Sequence, residues 1–292
     1  MHKTRVYKYY LHVYPCLHTI ETSNDYTIMP IVKDILPHER QSVILQRLDS
    51  QGRVIAADLA KEMNVSEDSI RRDLRELAQR GLCRRVYGGA LSVAPDPGPL
   101  NKRIQNSTPI LSVLAEAAAA LVGPGQTIFL DAGSTNRAIA LALPSQANLT
   151  VITNAPAIGE ALLSRPGIET ILIGGRLDSK AGGSLGAKAL REVQAIHADI
   201  YFMGACALSF ETGVTAFNYE EAELKRALVN AANATVITLS ADKFDTLAPY
   251  QVIPSEAIDH LVIETNDQIE PRLKAFRKSG CSVQTVHIQE AL

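Results

Sequence analysis

The residues best suited to contact a polyanion are five arginines in a short stretch: Arg71, Arg72, Arg75, Arg84 and Arg85. A guanidinium donates hydrogen bonds to phosphate oxygens and, in a bidentate manner, to guanine edges. Residues 69–91 hold six arginines against two acidic residues, whereas the whole chain has a net charge of −2. This contrast indicates a nucleic-acid contact at the stretch. A solvated helix face without a partner is the alternative.

A second set of residues follows the ends of apolar runs, where a parallel sheet would bring them together: Asp131, Gly133, Ser134, Thr135, Asn154, Gly174, Gly175 and Lys243. In "FLDAGST", a glycine turn opens a helix whose free N–H groups and two hydroxyls suit a phosphate. A capped strand-to-helix turn explains the same pattern. Glu221 and Lys225 are four residues apart, and a simple i,i+4 ion pair is the favoured interpretation.

The arginines need a scaffold, and the sequence around them predicts three short helices. "HERQSVILQRLDSQG" places apolar residues at helical spacing and stops at Gly52, and "RVIAADLAKEMNV" predicts a short strand followed by a second helix. Asn64 supplies a turn, and Ser66 is a good N-cap for the third helix.

In the third helix, an apolar face opposes a basic one. Ile70, Leu74 and Leu77 recur at i, i+4 and i+7, so they face the core. At about 100° per residue, the three arginines of this helix point away from it. We call Arg71, Arg72 and Arg75 the arginine face.

After the third helix, a glycine and a hairpin complete a small domain. Gly81 is suited to end the helix. "LCRRVYGGAL" follows as a basic strand with a tight turn at Gly88 and Gly89. Three helices and a basic hairpin predict a winged helix-turn-helix, in which the third helix enters the DNA major groove and the wing touches the backbone. Ser66 and Ser69 join the five arginines as predicted DNA contacts.

The rest of the chain predicts an α/β domain. A proline-rich stretch, "SVAPDPGPLNKRIQNS", indicates a linker. Five short apolar runs then alternate with helical patterns: "TIFLDAG", "LTVITNA", "ETILIGG", "ADIYFMG" and "ATVITLS". That alternation favours a mostly parallel sheet with helices on both faces. We therefore divide the chain into an N-terminal extension (1–36), a DNA-binding domain (37–92), a linker (93–107) and an effector-binding and oligomerisation domain (108–292).

Composition excludes several classes of protein. The sequence has no run of about 18 apolar residues, so it predicts no membrane-spanning helix. The four cysteines are scattered without metal-ligand spacing, so we expect neither a metal nor another cofactor, and a reducing cytoplasm suits them.

Residues 1–28 hold five of the nine tyrosines and three of the seven histidines without a steady period. We interpret them as an upstream extension and expect the working protein to start at Met29.

Residues 38–91 resemble the DeoR-type helix-turn-helix. The family's run of a hydroxyl residue, an aliphatic residue, two basic residues, Asp and Leu falls on Ser69 to Leu74, and its closing "R-x-x-GGA" falls on Arg85 and residues 88–90. The family usually has threonine where this chain has Ser69. The lost methyl group puts the operator preference in doubt.

The resemblance extends to the DeoR-type C-terminal sensor domain through "DAGST", "TN", "IGG" and "DKF". That domain resembles ribose-5-phosphate isomerase and CoA-transferases in fold and binds phosphorylated sugars in the family. The resemblance implies that residues 131–135 form a phosphate and hydroxyl loop, that Asn154 contacts the sugar and that Lys243 meets the anionic end. Ser240 and Gln126 stand where the family often has aspartate, which puts the identity of the sugar in doubt.

The residues and the resemblance together predict a cytoplasmic bacterial transcriptional regulator that binds double-stranded operator DNA. We expect a repressor of a carbohydrate-metabolism operon, assembled as a homo-oligomer (dimer or tetramer) and relieved by a phosphorylated sugar. One alternative is a sugar-phosphate isomerase or transferase with a DNA-binding arm, using Asp131, Glu221 and Lys243 as acid–base groups. Another is an architectural DNA binder whose C-terminal domain only oligomerises.

Overall fold

The computed structural model describes residues 35–106 and 108–287 of the 292-residue chain. Residues 1–34 of the predicted extension lie outside the described residues, and the predicted start at Met29 is among them.

The N-terminal domain of the described chain is a winged helix-turn-helix. Its elements are α1 (Pro37–Gln51), β1 (Arg53–Ile55), α2 (Ala56–Glu62), α3 (Glu67–Gln79), β2 (Arg84–Val86) and β3 (Gly89–Val93). β3 pairs antiparallel with both β1 and β2, and β2 with β3 forms the wing. Ile44, Leu48, Leu59, Ile70 and Leu74 belong to one buried core.

The turns of this domain form where the residue types predict them. Gly52 ends α1 with a φ of 74°, and Asn64 turns the chain between α2 and α3 with a φ of 52°. Ser66 caps α3, because its Oγ accepts from the backbone N–H of Ser69 at 3.2 Å. Gly81 follows the helix at a φ of 73°. The predicted turn at Asn64 and the predicted helix ends at Gly52 and Gly81 are therefore confirmed.

A buried ion pair fixes the third helix to the first. The guanidinium of Arg40 donates two hydrogen bonds to the carboxylate of Asp73, one of them at 3.1 Å, and both residues are buried. A bidentate pair holds one geometry better than a point contact does. The orientation of α3 on α1 is thereby set.

The rest of the described chain is an α/β domain reached through α4 (Leu100–Gln105). Its helices are α5 (Pro109–Ala119), α6 (Ser134–Ala142), α7 (Pro156–Leu162), α8 (Ala187–Val193), α9 (Tyr219–Asn230) and α10 (Glu270–Lys278). Its strands are β4 (Thr127–Leu130), β5 (Leu149–Thr153), β6 (Ile168–Leu172), β7 (Arg176–Asp178), β8 (Gly183–Leu185), β9 (Ala198–Gly204), β10 (Ala207–Ser209), β11 (Gly213–Ala216), β12 (Ala232–Leu239), β13 (Thr246–Leu247), β14 (Tyr250–Ile253), β15 (His260–Glu264) and β16 (Ser282–Val286).

Seven of these strands form one parallel sheet in the order β16-β15-β12-β9-β4-β5-β6. The five apolar runs singled out in the sequence all lie in it, so the predicted fold class is confirmed. Along β4, Ile128 and Leu130 belong to the core beneath α5, α6 and α7, and Phe129 belongs to the core beneath α8, α9 and α10. Because both faces of the sheet are covered, the central strands β4, β9 and β12 are largely apolar on both sides.

The strand order reverses between β4 and β9. β4, β5 and β6 follow one another toward one edge, and β9, β12, β15 and β16 follow one another toward the other. In doubly wound sheets, ligands bind outside the carboxyl ends of the strands at this switch point. The residues that follow β4, β9 and β12 are therefore candidates for ligand contacts.

The two domains share a small sheet. β13 pairs in parallel with β3 of the wing, with Thr246 opposite Ser92, and the backbone N–H of Ala94 donates to the oxygen of Leu247 at 3.2 Å. Arg272 on α10 donates to the backbone oxygen of Gln51 at 2.9 Å. The sequence pattern contained no indication of this junction.

Candidate functional sites

The arginine face lies on the exposed side of α3. Ile70, Leu74 and Leu77 are buried beneath it, and Arg71, Arg72 and Arg75 are exposed. Arg71 pairs with Glu67 at 2.7 Å across one helical turn, and both side chains are largely exposed. A surface pair of this kind is weak. The guanidinium of Arg71 therefore stays available to a stronger anion.

The wing presents the second part of the basic surface. Arg84 and Arg85 are exposed on β2, and Tyr87 at its tip is fully exposed. A side chain at Gly89 would lie 1.9 Å from the backbone oxygen of Val54, so only glycine lets the wing close on β1. The wing and the arginine face belong to the same domain.

The two serines predicted as DNA contacts have a structural function at the start of α3. The Ser66 and Ser69 hydroxyls lie 2.9 Å apart, and Ser66 also caps the helix. The Ser66 side chain belongs to an exposed residue, and Ser69 is half-buried. The Ser66 hydroxyl thus makes two contacts with Ser69, and both hydroxyls are engaged in the start of the helix.

A cleft of about 880 Å³ lies at the carboxyl ends of β4, β12 and β15. We call it the strand-end cleft. Its walls come from the start of α6, the segment after β12, the end of β15 and the linker: Ser134, Thr135, residues 240–243, Glu264, residues 96–98, Lys102, Arg103, Asn106 and residues 108–111.

The start of α6 supplies donors to this cleft. α6 begins at Ser134 after Gly133, which is extended, and runs nine residues to Ala142. The first N–H groups of a helix have no partner within it, and the helix dipole favours an anion there. Ser134 and Thr135 add two hydroxyls, so this wall is suited to a phosphate.

Lys243, in the segment after β12, supplies a positive charge to the same cleft. Burial lowers the pKa of Lys243, the nearby cations Arg103 and Lys225 lower it further, and Asp242 and Cys206 act in the opposite direction. In the described part of the chain, Lys243 takes part in none of the salt bridges. An anion in the cleft would interact favourably with this ammonium.

Two further cations come from the segment that the sequence predicts to be only a linker. α4 places Lys102 and Arg103 in the wall of the strand-end cleft. Arg103 donates weakly to the oxygen of Ala181 at 3.4 Å, and its buried Nε has no partner among the described residues. The adjacent basic pair in "LNKR" was the available signal, and the surrounding prolines masked its helical character.

Asp131 does not line the cleft, because internal partners surround its carboxylate. One oxygen accepts from the Asn136 side chain at 2.8 Å and from the Gly204 backbone at 2.7 Å. The other accepts from the hydroxyl of Tyr201 and the ammonium of Lys225. The carboxylate thus joins the ends of β4 and β9 at the switch point.

Lys225 belongs to this buried cluster rather than to a simple surface pair. Its ammonium lies 3.3 Å from Glu221, as the i,i+4 spacing indicated, but Lys225 is buried and also reaches Asp131. Burial alone would lower the pKa of Lys225, but the Asp131 and Glu221 carboxylates raise it above its ordinary value. Burial, and then Asp131, raise the pKa of Tyr201 well above its ordinary value.

Asn154, Gly174 and Gly175 lie outside the lining of the strand-end cleft. Asn154 is buried after β5, and its amide nitrogen donates to the backbone oxygen of Ser184 at 3.0 Å. The backbone N–H of Gly174 donates to Glu192 at 2.9 Å. The structure therefore brings together Ser134, Thr135 and Lys243 but not these three residues.

The two departures from the family pattern have different surroundings. Ser240 donates to Asp242 at 2.5 Å in the cleft wall, and Glu264 at the end of β15 accepts from the backbone of Ala241 at 2.9 Å. A carboxylate thus remains beside Ser240. Gln126 accepts from the backbone N–H of Gly123 at 2.7 Å before β4, at the opposite end of that strand from the cleft.

Two family models match the chain: the DeoR-like helix-turn-helix domain over residues 40–96 and the DeoR C terminal sensor domain over residues 112–265. This chain belongs to the DeoR family of transcriptional regulators. The predicted family membership and regulatory function are thereby confirmed.

Two curated relatives illustrate the extent of the likeness. The HTH-type transcriptional regulator GolR of Listeria innocua is 34% identical over 86% of this chain and 99% of its own length. The glycerol-3-phosphate regulon repressor of Escherichia coli K12 is 30% identical over 70% of this chain and 82% of its own. A ribose 5-phosphate isomerase A from Neisseria gonorrhoeae aligns over 47% of this chain and 53% of that protein, at 16% identity and a TM-score of 0.33. A structural likeness that weak carries no argument about activity.

The described residues also lack two other kinds of feature. No helix there has the length and apolar character needed to cross a membrane. Histidine, cysteine and acidic side chains do not gather in the described chain into a group of three able to hold a metal ion.

Proposed function

We propose that this regulator represses carbohydrate-metabolism genes and releases its operator when a phosphorylated sugar binds in the strand-end cleft. The observation that carries the proposal is that Lys243, Arg103 and Lys102 line the same cleft as the start of α6. Three cations and a helix N-terminus line a cleft of about 880 Å³, together with the carboxylates of Asp96, Asp242 and Glu264. The cations and the helix N-terminus are two features of the cleft that favour an anion. The name of the glycerol-3-phosphate relative, a repressor linked to a phosphorylated metabolite, supports the same ligand class.

In this proposal, residues 37–92 bind double-stranded operator DNA. Arg71, Arg72 and Arg75 enter the major groove, and Arg84 and Arg85 contact the backbone from the wing. Residues 93–107 are a linker that also contributes to the cleft, and residues 108–292 bind the effector and assemble the oligomer. Ser134, Thr135, Lys243, Lys102 and Arg103 contact the ligand.

The internal contacts of Asp131 favour a regulator over an isomerase-like enzyme. A general base needs a free oxygen within reach of the substrate. The two oxygens of Asp131 already accept four hydrogen bonds from Asn136, Gly204, Tyr201 and Lys225. We assign Asp131 to positioning the loop before α6, and we do not assign it to acid–base chemistry.

The effector signal reaches DNA through the segment that follows Lys243. Three residues after this lysine, Thr246 begins β13, which pairs with the wing strand β3. A ligand shifts an equilibrium only through its different affinity for two states. We propose that phosphate binding at Lys243 displaces β13 and thereby changes the presentation of the wing and α3.

The experiment is fluorescence anisotropy of the protein on a labelled DNA fragment from upstream of its own gene, at fixed salt. Genomic fragments serve as the second DNA source. A panel of sugar phosphates and the matching unphosphorylated sugars is added to the complex. The proposal expects one phosphorylated compound to lower DNA affinity while its unphosphorylated counterpart does not. DNA binding that no member of the panel changes would count against the effector assignment but not against the DNA-binding surface.

A further inference from the structure

The two edges of the seven-stranded sheet differ in character. At one edge, β16 presents the polar side chains of Ser282 and Gln284 to solvent. At the other edge, β6 exposes Ile171 and Leu172. Natural sheets protect free edges with charged residues, proline or a covering element, because an unprotected edge pairs with other strands. Within β6 the charged residue is Glu169 and there is no proline, and among the described residues no strand pairs with its outer side, so this edge is suited to an interaction.

The helix beside β6 continues its apolar surface. α7 packs on β6, and a side chain placed at Gly159 would lie 3.8 Å from Leu172. Leu163 follows Gly159 by about one helical turn, just after the end of α7, and is 83% exposed. Leu163 and Leu172 thus expose apolar surface on the α7 side of this edge, and Ile171 exposes apolar surface on the opposite face of the sheet. Exposed apolar side chains that are grouped together often mark interaction sites in soluble proteins.

The main chain of β6 offers a self-complementary edge. The carbonyl oxygen of Gly167 accepts a hydrogen bond from the backbone N–H of Leu149 at 3.0 Å, and the N–H of Ile173 donates to the carbonyl oxygen of Thr153 at 2.8 Å. Both hydrogen bonds join β6 to β5. In a parallel ladder, alternate residues bond to the same neighbour. The N–H and C=O groups of Ile168, Thr170 and Leu172 therefore point away from the sheet.

We propose that β6 pairs antiparallel with β6 of a second copy of this chain, about a two-fold axis that passes beside Thr170. In that register Thr170 faces Thr170 of the second copy, and Ile168 faces its Leu172. All three outward-facing residues then exchange main-chain hydrogen bonds in closely bonded pairs. The result is one continuous sheet across the dimer, formed by an isologous interface.

The side chains favour a second copy over an unrelated strand. On the face toward α7, the pattern apolar–Thr–apolar reads the same in both directions about Thr170. Each end of the pairing therefore joins an isoleucine to a leucine, and the centre joins two threonines, which are favourable cross-strand pairs. A two-fold dimer is also the symmetry that a regulator with one α3 per chain needs to read paired half-sites. The inference is independent of which effector occupies the cleft.

The test is a charge swap at the two-fold axis, read by sedimentation velocity on the full chain. Like charges directly opposite each other destabilise a strand pair. Thr170→Glu and Thr170→Lys should each raise the dimer dissociation constant more than tenfold, and mixing the two variants should restore a dimer. Gln284→Glu, on the opposite edge, is the matched control and should leave assembly unchanged. Circular dichroism and the melting temperature of each variant show whether it folds.

Three results would overturn the inference: a wild-type monomer, a dimer that both Thr170 variants leave intact, or a mixture that stays monomeric although each variant folds. A monomer whose stability falls in the Thr170 variants would show that the chain covers its own edge, which also contradicts the proposal. Should neither charged variant fold, Thr170→Cys provides the second measurement. Mild oxidation should then link two chains through this residue, and wild-type protein, with its native cysteines, should remain unlinked.

Discussion

The hydroxyl of Thr246 donates a 2.8 Å hydrogen bond to the backbone oxygen of Lys243. Lys243 faces the strand-end cleft, and Thr246 pairs with Ser92 in the wing sheet. One short segment therefore connects the proposed phosphate site to the DNA-binding domain. Between the two residues, Asp245 adopts a positive φ of 54° and pairs with Arg272.

Arg272 provides the first prediction, because its guanidinium holds both Asp245 and the backbone oxygen of Gln51. Arg272→Ala should leave DNA binding and effector binding individually intact but reduce the effect of the effector on DNA affinity. Allosteric coupling free energies are typically about 1–3 kcal/mol, and we expect most of that to be lost. Anisotropy titrations with and without effector measure the difference. Arg277→Ala on the same helix, which removes only the exposed pair with Glu270, is the control. An unchanged coupling in Arg272→Ala would exclude this path.

The arginine face provides the second prediction. Arg72→Ala should weaken operator binding by about 1–3 kcal/mol and relax base preference if the side chain reads a base. For a phosphate contact, affinity should fall uniformly across sequences, with a salt slope smaller by about one. Anisotropy on operator and scrambled DNA at several salt concentrations separates the two modes. Arg191→Ala, an exposed arginine on α8, should change neither quantity. Loss of affinity in both variants alike would indicate a general charge effect.

Lys243 provides the third prediction. Lys243→Ala should abolish the response to the effector while operator affinity in its absence stays at the wild-type value, because the proposal assigns the lysine to the ligand and not to DNA. Calorimetry measures effector binding, and anisotropy measures DNA binding. Lys278→Ala at the exposed end of α10 is the control for lost charge. Wild-type effector affinity in Lys243→Ala would remove this residue from the site.

The pKa of Lys243 provides the fourth prediction. Burial and neighbouring cations lower this pKa, so the unliganded protein loses the ammonium charge at a lower pH than an ordinary lysine does. The charged form binds the phosphate, and effector affinity should therefore fall as the pH rises, beginning below the ordinary lysine value of about 10.4. Calorimetry across this range checks the direction. Lys243→Arg, which keeps its charge, should flatten the profile, and an equally steep profile in that variant would assign the titration to another group.

The buried cluster at the switch point provides the fifth prediction. Asp131→Asn leaves the ammonium of Lys225 without its closest carboxylate in a buried position. Breaking a buried ion pair by removing one partner costs about 3–5 kcal/mol. The free energy of unfolding, measured with denaturant, should fall accordingly. Adding Lys225→Met to Asp131→Asn should recover part of the loss. Full stability in Asp131→Asn, together with lost effector binding, would instead indicate a direct ligand contact.

Local patterns were sufficient to predict the winged helix and the parallel sheet, because periodicity and turn residues act over a few positions. Ser66, Asn64 and Gly81 are examples in which residue type alone predicts the local conformation. The contacts of Asp131 needed the structure, since Lys225 lies 94 residues away and nothing local connects the two. The place of Arg103 in the cleft wall was not predictable for another reason. α4 is only six residues long and lies among prolines, so it has little helical periodicity.

The junction between the domains was equally invisible in the sequence. β13 has two residues, and its pairing with β3 depends on the positive φ of Asp245 and the close approach of Gly52. Neither feature has a periodic signal. The coupling that regulation requires is therefore a property of the folded chain, and the sequence indicated only the two sites that it joins.

Calorimetry shows whether the cleft and the DNA-binding domain are coupled. The effector identified by the anisotropy panel is titrated into free protein and into protein saturated with operator DNA. Linkage requires that the effector lower operator affinity by the same factor by which the operator lowers effector affinity. We predict equal factors in wild-type protein and factors much closer to one in Arg272→Ala, with both ligands still bound. Effector affinity that operator DNA leaves unchanged in the wild type would contradict the account.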